Sequence, residues 1–120
     1  MKPHYCLSYE DLHLLISCEQ ARHVKARQQF KKLVRATRRL FRTTRCKVQL
    51  PLVGPLVLRA CFAHRHQVPA WSLVHCMAHD FLYRLPAGFL VSTDLDYWTP
   101  DGDSEYFFEV RLELPPCLPN

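Results

Sequence analysis

The run Glu105-Tyr106-Phe107-Phe108-Glu109-Val110-Arg111-Leu112-Glu113-Leu114 decides the fold. Tyr106, Phe108, Val110, Leu112 and Leu114 fall on one side of a two-residue alternation, and Phe107, Glu109, Arg111 and Glu113 on the other. An apolar side opposed to a mostly charged one marks a half-buried β-strand. Just upstream, Phe89, Val91, Thr93, Leu95 and Tyr97 alternate with Leu90, Ser92, Asp94, Asp96 and Trp98. Between the two runs lies Thr99-Pro100-Asp101-Gly102-Asp103-Ser104, whose Asp-Gly pair supplies the positive φ that a hairpin needs. Residues 88–114 are therefore expected to form a β-hairpin with a long tip.

Further upstream the period changes from two to that of a helix. Pro69 suits a first helical turn, Leu73, Val74, Met77, Ala78, Phe81 and Leu82 make an apolar face, and Pro86 stops the pattern, so a helix is expected over about 69–85. Lys47–Leu52 and Leu56–Ala63 read as strands joined around Val53-Gly54-Pro55, with Pro51 placing the first at a sheet edge or bulge. Helical spacing returns at Phe30, Leu33, Val34, Leu40 and Phe41, with the first four expected to face inward. Ser8-Tyr9-Glu10-Asp11 has the form of a helix start, followed by Leu12, Leu15 and Ile16. One helix over all of this would be roughly 50 Å long at 1.5 Å per residue. That length argues for a break near Glu19–His23 and a main basic helix over about 24–41. With His4–Ser8 as a short first strand, the order is β-α-β-β-α-β-β. The fold class is α+β, a plait in which two helices pack on one face of an antiparallel sheet, with residues 1–120 as a single domain.

Composition narrows the functional classes. No apolar run approaches the roughly 18 residues of a membrane span, so no membrane partner is expected. Met1–Ile16 is interrupted by His4, Glu10, Asp11 and His13, unlike the apolar core of a secretory leader. Cys6, Cys18, Cys46, Cys61, Cys76 and Cys117 show no paired spacing and read as reduced thiols, several in the core. The net charge of +5 is divided along the chain, because no Asp or Glu occurs between Glu19 and Asp80. Lys31, Arg35, Arg38 and Arg42 form one stripe at helical spacing, flanked by Lys32 and Arg39. Asp94, Asp96, Asp101, Asp103 and Glu105 gather at the opposite end, around the hairpin tip. Such a layout favours an anionic partner for the basic half or head-to-tail contact between copies.

Three constellations suggest chemistry. The basic stripe is suited to phosphates of nucleic acid or to an acidic protein partner, and it lacks the interleaved aromatics of a single-strand binder. Cys61, His64, His75 and His79 make an alternative zinc set, since His75 and His79 are one helical turn apart. Core cysteines and structural histidines are the preferred reading, so no metal or other cofactor is expected. His64-Arg65-His66 with Tyr83 is superficially like the two-histidine, one-tyrosine site of rolling-circle nucleases, but Arg65 stands where a bulky apolar residue is needed. The tip aspartates do not follow the twelve-residue calcium-loop scheme. No Gly-rich phosphate loop or serine triad is present, and no enzymatic activity is expected. Leu90, Trp98 and Phe107, on the outward parity of the hairpin, are expected to join two copies through the sheet.

Cys6-Leu7 in the first strand, Leu33–Arg42 with its Arg38-Arg39 pair, the helix at Ser72-Leu73, and Phe108-Glu109-Val110 in the last strand carry a resemblance. In length and element order the chain resembles, nearly end to end, the small proteins of adenovirus early region four, and among them the open-reading-frame-three products. The resemblance implies a non-enzymatic viral early protein in the host nucleus that forms a homodimer, assembles further and sequesters host nuclear proteins, including those of promyelocytic-leukaemia-protein bodies. A small basic nucleic-acid-binding module, using the arginine-rich helix, is the competing expectation.

Overall fold

Neither glycine nor proline occurs between Tyr9 and Leu40, and helix α1 runs unbroken from Tyr9 to Leu40, 32 residues and about 48 Å. The expected break near Glu19–His23 is therefore absent. Local propensity carries the helix where packing does not require it to stop, and the molecule is elongated, with extents of 59 × 31 × 21 Å. The structure is a computed structural model that describes residues 9–51, 54–85, 88–93, 97–98 and 104–113, with the backbone alone at 9, 11–22, 97–98 and 104–105. The expected strand His4–Ser8 and most of the hairpin tip lie outside the described residues.

After α1 come β1 (Arg45–Gln49), β2 (Leu56–Phe62), a single 3-10 turn (Arg65–Gln67), α2 (Trp71–Leu82), β3 (Phe89–Thr93), β4 (Tyr97–Trp98) and β5 (Ser104–Leu112). The strands form an antiparallel sheet in the order β1-β2-β5-β3, with β4 also pairing β5. The class is α+β, with both helices on one face. Gly54 turns β1 into β2 at φ 110°, a region open to glycine and costly for other residues. Among the described strands β1 is outermost on its side; it spans Arg45–Gln49 rather than 47–52, so Pro51 lies beyond it. The long apolar-alternating strand β5 is central, between β2 and β3.

Register shows which side chains share a face. Phe108, Val110 and Leu112 of β5 lie opposite Ala60, Leu58 and Leu56 of β2 and Thr93, Val91 and Phe89 of β3. All of the β2 and β5 members of that set are buried, and they meet Ala26, Phe30, Leu33 and Val34 of α1 and Val74, Met77, Ala78 and Leu82 of α2. A fully buried side chain of this size contributes about 1.5–3 kcal/mol, so this one layer supplies most of the driving force. Thr37 is buried among them, and its hydroxyl donates to the Leu33 carbonyl at 2.9 Å, which satisfies the polar group.

Several local expectations change. Leu40 does not face inward: it is the last residue of α1 and is 63% exposed. The chain turns there, and Phe41 enters instead, edge-on to Phe108 at 5.7 Å and to Phe62 at 6.4 Å. Leu73 is 54% exposed, because it sits roughly 100° around α2 from the centre of the buried arc. α2 starts at Trp71, with Ala70 as its N-cap and Pro69 before it, and ends at Leu82 rather than 85. The hairpin is also interrupted. Thr93 pairs with Phe108 but Tyr97 pairs with Glu105, a slip of one residue between β3 and β4, so a single alternation does not run through 89–98.

Candidate partner-binding surface

Because α1 uses Ala26, Phe30, Leu33 and Thr37 for the core, helical geometry brings Lys31, Arg35 and Arg38 out together on the flank beside Val34, whereas Arg42, expected as the fourth member of the stripe, lies beyond the end of α1 at Leu40. All four cations are exposed, as are Lys32 and Arg39, which sit further round the helix. The flank overhangs β1. Lys31, Val34, Arg35 and Arg38 from α1 join Val48 and Leu50 to line an open groove of about 440 Å³. Its floor is apolar and its rim cationic. Half-buried Arg27 braces one end, its Nη2 donating to the Leu50 carbonyl at 2.6 Å. Among the described residues, no carboxylate pairs with Lys31, Arg35 or Arg38. Sequence spacing found the cations; Val48 and Leu50 were legible only as strand residues, and nothing in the sequence joined them to α1.

Of the expected self-association residues, the other face of the sheet carries Leu90 and Phe107, and it separates them. Leu90 is 71% exposed and lies opposite Arg111. Phe107 shares that face by register, opposite Cys61, but it is only 3% exposed, so it is not the open apolar contact that its parity suggested. The Arg59 guanidinium lies 4.3 Å over the Phe107 ring, and its Nη2 reaches Glu109 Oε1 at 3.0 Å. One arginine thus stacks on the aromatic and pairs with the carboxylate beside it. Trp98 pairs with Ser104 through the backbone, so after the one-residue slip it does not share the register parity of Leu90 and Phe107 as expected, and its side chain lies outside the described set. Asp94, Asp96, Asp101 and Asp103 lie outside the described residues, and Glu105 is placed only by its pairing with Tyr97.

The alternative metal set does not come together. Cys61 is buried on the sheet face opposite the helices, as its pairing with Phe107 requires, so the sheet stands between it and α2. His64 stacks on His66 at 5.5 Å in the turn after β2. Among the described residues, no group of three or more His, Cys, Asp or Glu side chains gathers at metal-binding range. His75 and His79 belong to something else. Trp71, His75 and His79 on α2 and Tyr83 at its C-cap follow one another every four residues, with Trp71 stacked on His75 at 4.6 Å and His79 on Tyr83 at 5.2 Å. Phe89 of β3 lies against both histidines, and Trp71 Nε1 donates to the Val91 carbonyl at 2.6 Å. This aromatic row ties α2 to β3; its four-residue spacing was present in the sequence. Tyr83 is thereby engaged away from His64 and His66. Of the described cysteines, Cys46 and Cys76 are free thiols, half-buried and exposed respectively.

Among the described residues, no helix is long and apolar enough to cross a membrane. No family model, curated protein or solved structure matches this chain.

Proposed function

We propose that this chain is a non-enzymatic viral early regulatory scaffold, of the adenovirus early-region-four kind, that self-associates and holds host nuclear proteins. The observation that carries this reading is the cation-rimmed groove: a helix whose inner face is consumed by the core presents Lys31, Arg35 and Arg38 outward over apolar Val34, Val48 and Leu50. A surface of that kind binds by contact and needs no reacting group. Exposed Leu90, on the opposite face of the sheet, leaves a separate surface for a second copy. With two surfaces back to back, weak contacts gain strength through multivalency once copies are joined. In the basic region an Arg-rich run also serves nuclear import. The test is a tagged copy in cells. Nuclear tracks or foci that are lost with Arg38→Glu plus Arg42→Glu, and partly regained with Asp101→Arg plus Asp103→Arg, support the scaffold. A diffuse cytoplasmic protein indifferent to all four changes refutes it.

A second reading, a nucleic-acid-binding module, is favoured by the exposed row Lys31, Arg35 and Arg38 on α1 with exposed Arg42 just beyond the helix, none of which has a described carboxylate partner. About four phosphate contacts give a slope of log K against log salt near −3 to −4 on duplex DNA. A flat slope, or no binding at modest salt, removes it.

A further inference from the structure

We propose that the groove between α1 and β1 takes an amphipathic acidic helix of a partner protein, seated as a third member of the helical layer. The inference rests on the partner-binding reading above and names the chemistry of the partner. Both helices pack on one face of the sheet, α1 over β2 and α2 over β5 and β3. That layer ends before β1 is fully covered. Leu58 of β2 is completely buried, whereas Val48, its register neighbour on the same face, is only half-buried, as is Leu50. With Val34 they leave an apolar floor beside α1. Docking there uses side chains alone: the backbone of β1 takes no part, and the Leu50 carbonyl keeps its bond from Arg27.

Charge complementarity selects the occupant. Lys31, Arg35 and Arg38 line the groove four and three residues apart, rising about 6 and 4.5 Å along α1. All three are exposed, and among the described residues no carboxylate pairs with them. A helix lying alongside α1, at the usual interaxial separation of about 8–10 Å, repeats those rises with acids three and four residues apart. The neighbouring stripe of such a helix, turned roughly 100° from the first, faces the sheet, and aliphatic side chains there bury against Val34, Val48 and Leu50. Other occupants use less of the site. A single-headed amphiphile would engage one cation of the three. A duplex would contact the rim and leave the apolar floor wet. A second copy has no matching helical stripe: α2 carries one acid, Asp80, α1 carries none from Val24 to Leu40, and its earlier Glu10, Asp11 and Glu19 do not recur at that spacing.

The test is fluorescence anisotropy on the intact chain with a labelled eighteen-residue peptide, glutamate on one helical stripe and leucine on the next. Saturable binding is expected, weakened at least tenfold by Arg35→Glu plus Arg38→Glu and recovered on that variant by the same peptide with lysine for each glutamate. Both arginines are exposed, and far-ultraviolet circular dichroism checks that the variant is folded. Two further peptides are read on the unaltered chain. Glutamine for each leucine removes the apolar stripe, a central proline breaks the helix, and each change is expected to weaken binding at least tenfold. Equal binding of the proline peptide would overturn a helical occupant, and equal binding of the glutamine peptide would overturn the apolar floor. Binding indifferent to the arginine changes would overturn the groove as the site. Conversion of a dimer to monomer by the arginine changes would assign the groove to a second copy. Displacement by duplex DNA or by a fatty acid, at lower concentration than by unlabelled peptide, would assign it to nucleic acid or to a small amphiphile. Failure of the peptide with nuclear foci intact refutes only this inference, whereas peptide binding without foci refutes the scaffold.

Discussion

Truncating Phe108 to alanine probes the centre of the fold. Phe108 is fully buried, its ring 5.7 Å from Phe41 and 6.0 Å from Phe62, and its backbone lies between Ala60 and Thr93 in the middle of the sheet. Removing a buried phenyl ring costs about 3–5 kcal/mol, combining the lost transfer energy with the cavity left behind. A domain of this size has about 5–15 kcal/mol in total, so the variant should remain folded in water only narrowly. At about 1–3 kcal/mol per molar urea, the unfolding midpoint should fall by between 1 and a few molar, as a rough bound, with an unchanged slope. Half-buried Phe41 offers the control: its alanine variant should lose less, and the double variant should show a coupling of about 0.5–1.5 kcal/mol from the edge-on ring pair. Urea titration followed by circular dichroism on the four proteins completes the cycle. A loss below about 1 kcal/mol for Phe108→Ala, or additivity of the two changes, would mean that these rings do not form one cluster and that β5 is not the centre of the core.

Other expectations follow from individual contacts. Leu90→Arg should leave the melting temperature nearly unchanged, because Leu90 is 71% exposed, and should abolish self-association in sedimentation; a dimer unaffected by it would move the contact elsewhere. Phe107→Ala should instead destabilise the monomer by about 2–4 kcal/mol, as its 3% exposure requires, and a neutral effect would contradict its burial under Arg59. Glu109→Gln removes the charge partner in the Arg59–Glu109 pair and should cost about 1–2 kcal/mol, between the values for exposed and buried pairs, with the loss read from the same urea curves. Gly54→Ala should cost about 1–2 kcal/mol through the φ of 110°; among the described residues the nearest atom, Pro51 Cγ, would lie 3.9 Å from the new Cβ, an ordinary contact, and a stabilised variant would place the turn in another conformation.

Local periodicity was enough to read β5, β2, the buried arc of α2 and the cationic stripe of α1. Each of these has one face in water and one in protein, and burial writes that difference directly into residue spacing. The continuity of α1 was also written locally, in the absence of glycine and proline from Tyr9 to Leu40; the mistaken break came from assuming that a small domain must be compact. Leu40 and Phe41 could not be sorted by spacing, because the exchange depends on where the chain leaves the helix. Phe107 has the parity of an exposed residue, and only the placement of Arg59 on the neighbouring strand shows a partner lying over its ring. Cys61 and the pair His75 and His79 are close in sequence but separated by the sheet, which register alone decides. The groove is the clearest case of all. Lys31, Arg35 and Arg38 were visible as a row, but a row becomes a groove only when a second element lies beside it, and the meeting of α1 with Val48 and Leu50 is set by the packing of helix on sheet. Spacing reports what one element does with its own faces; which element it meets is a property of the whole chain.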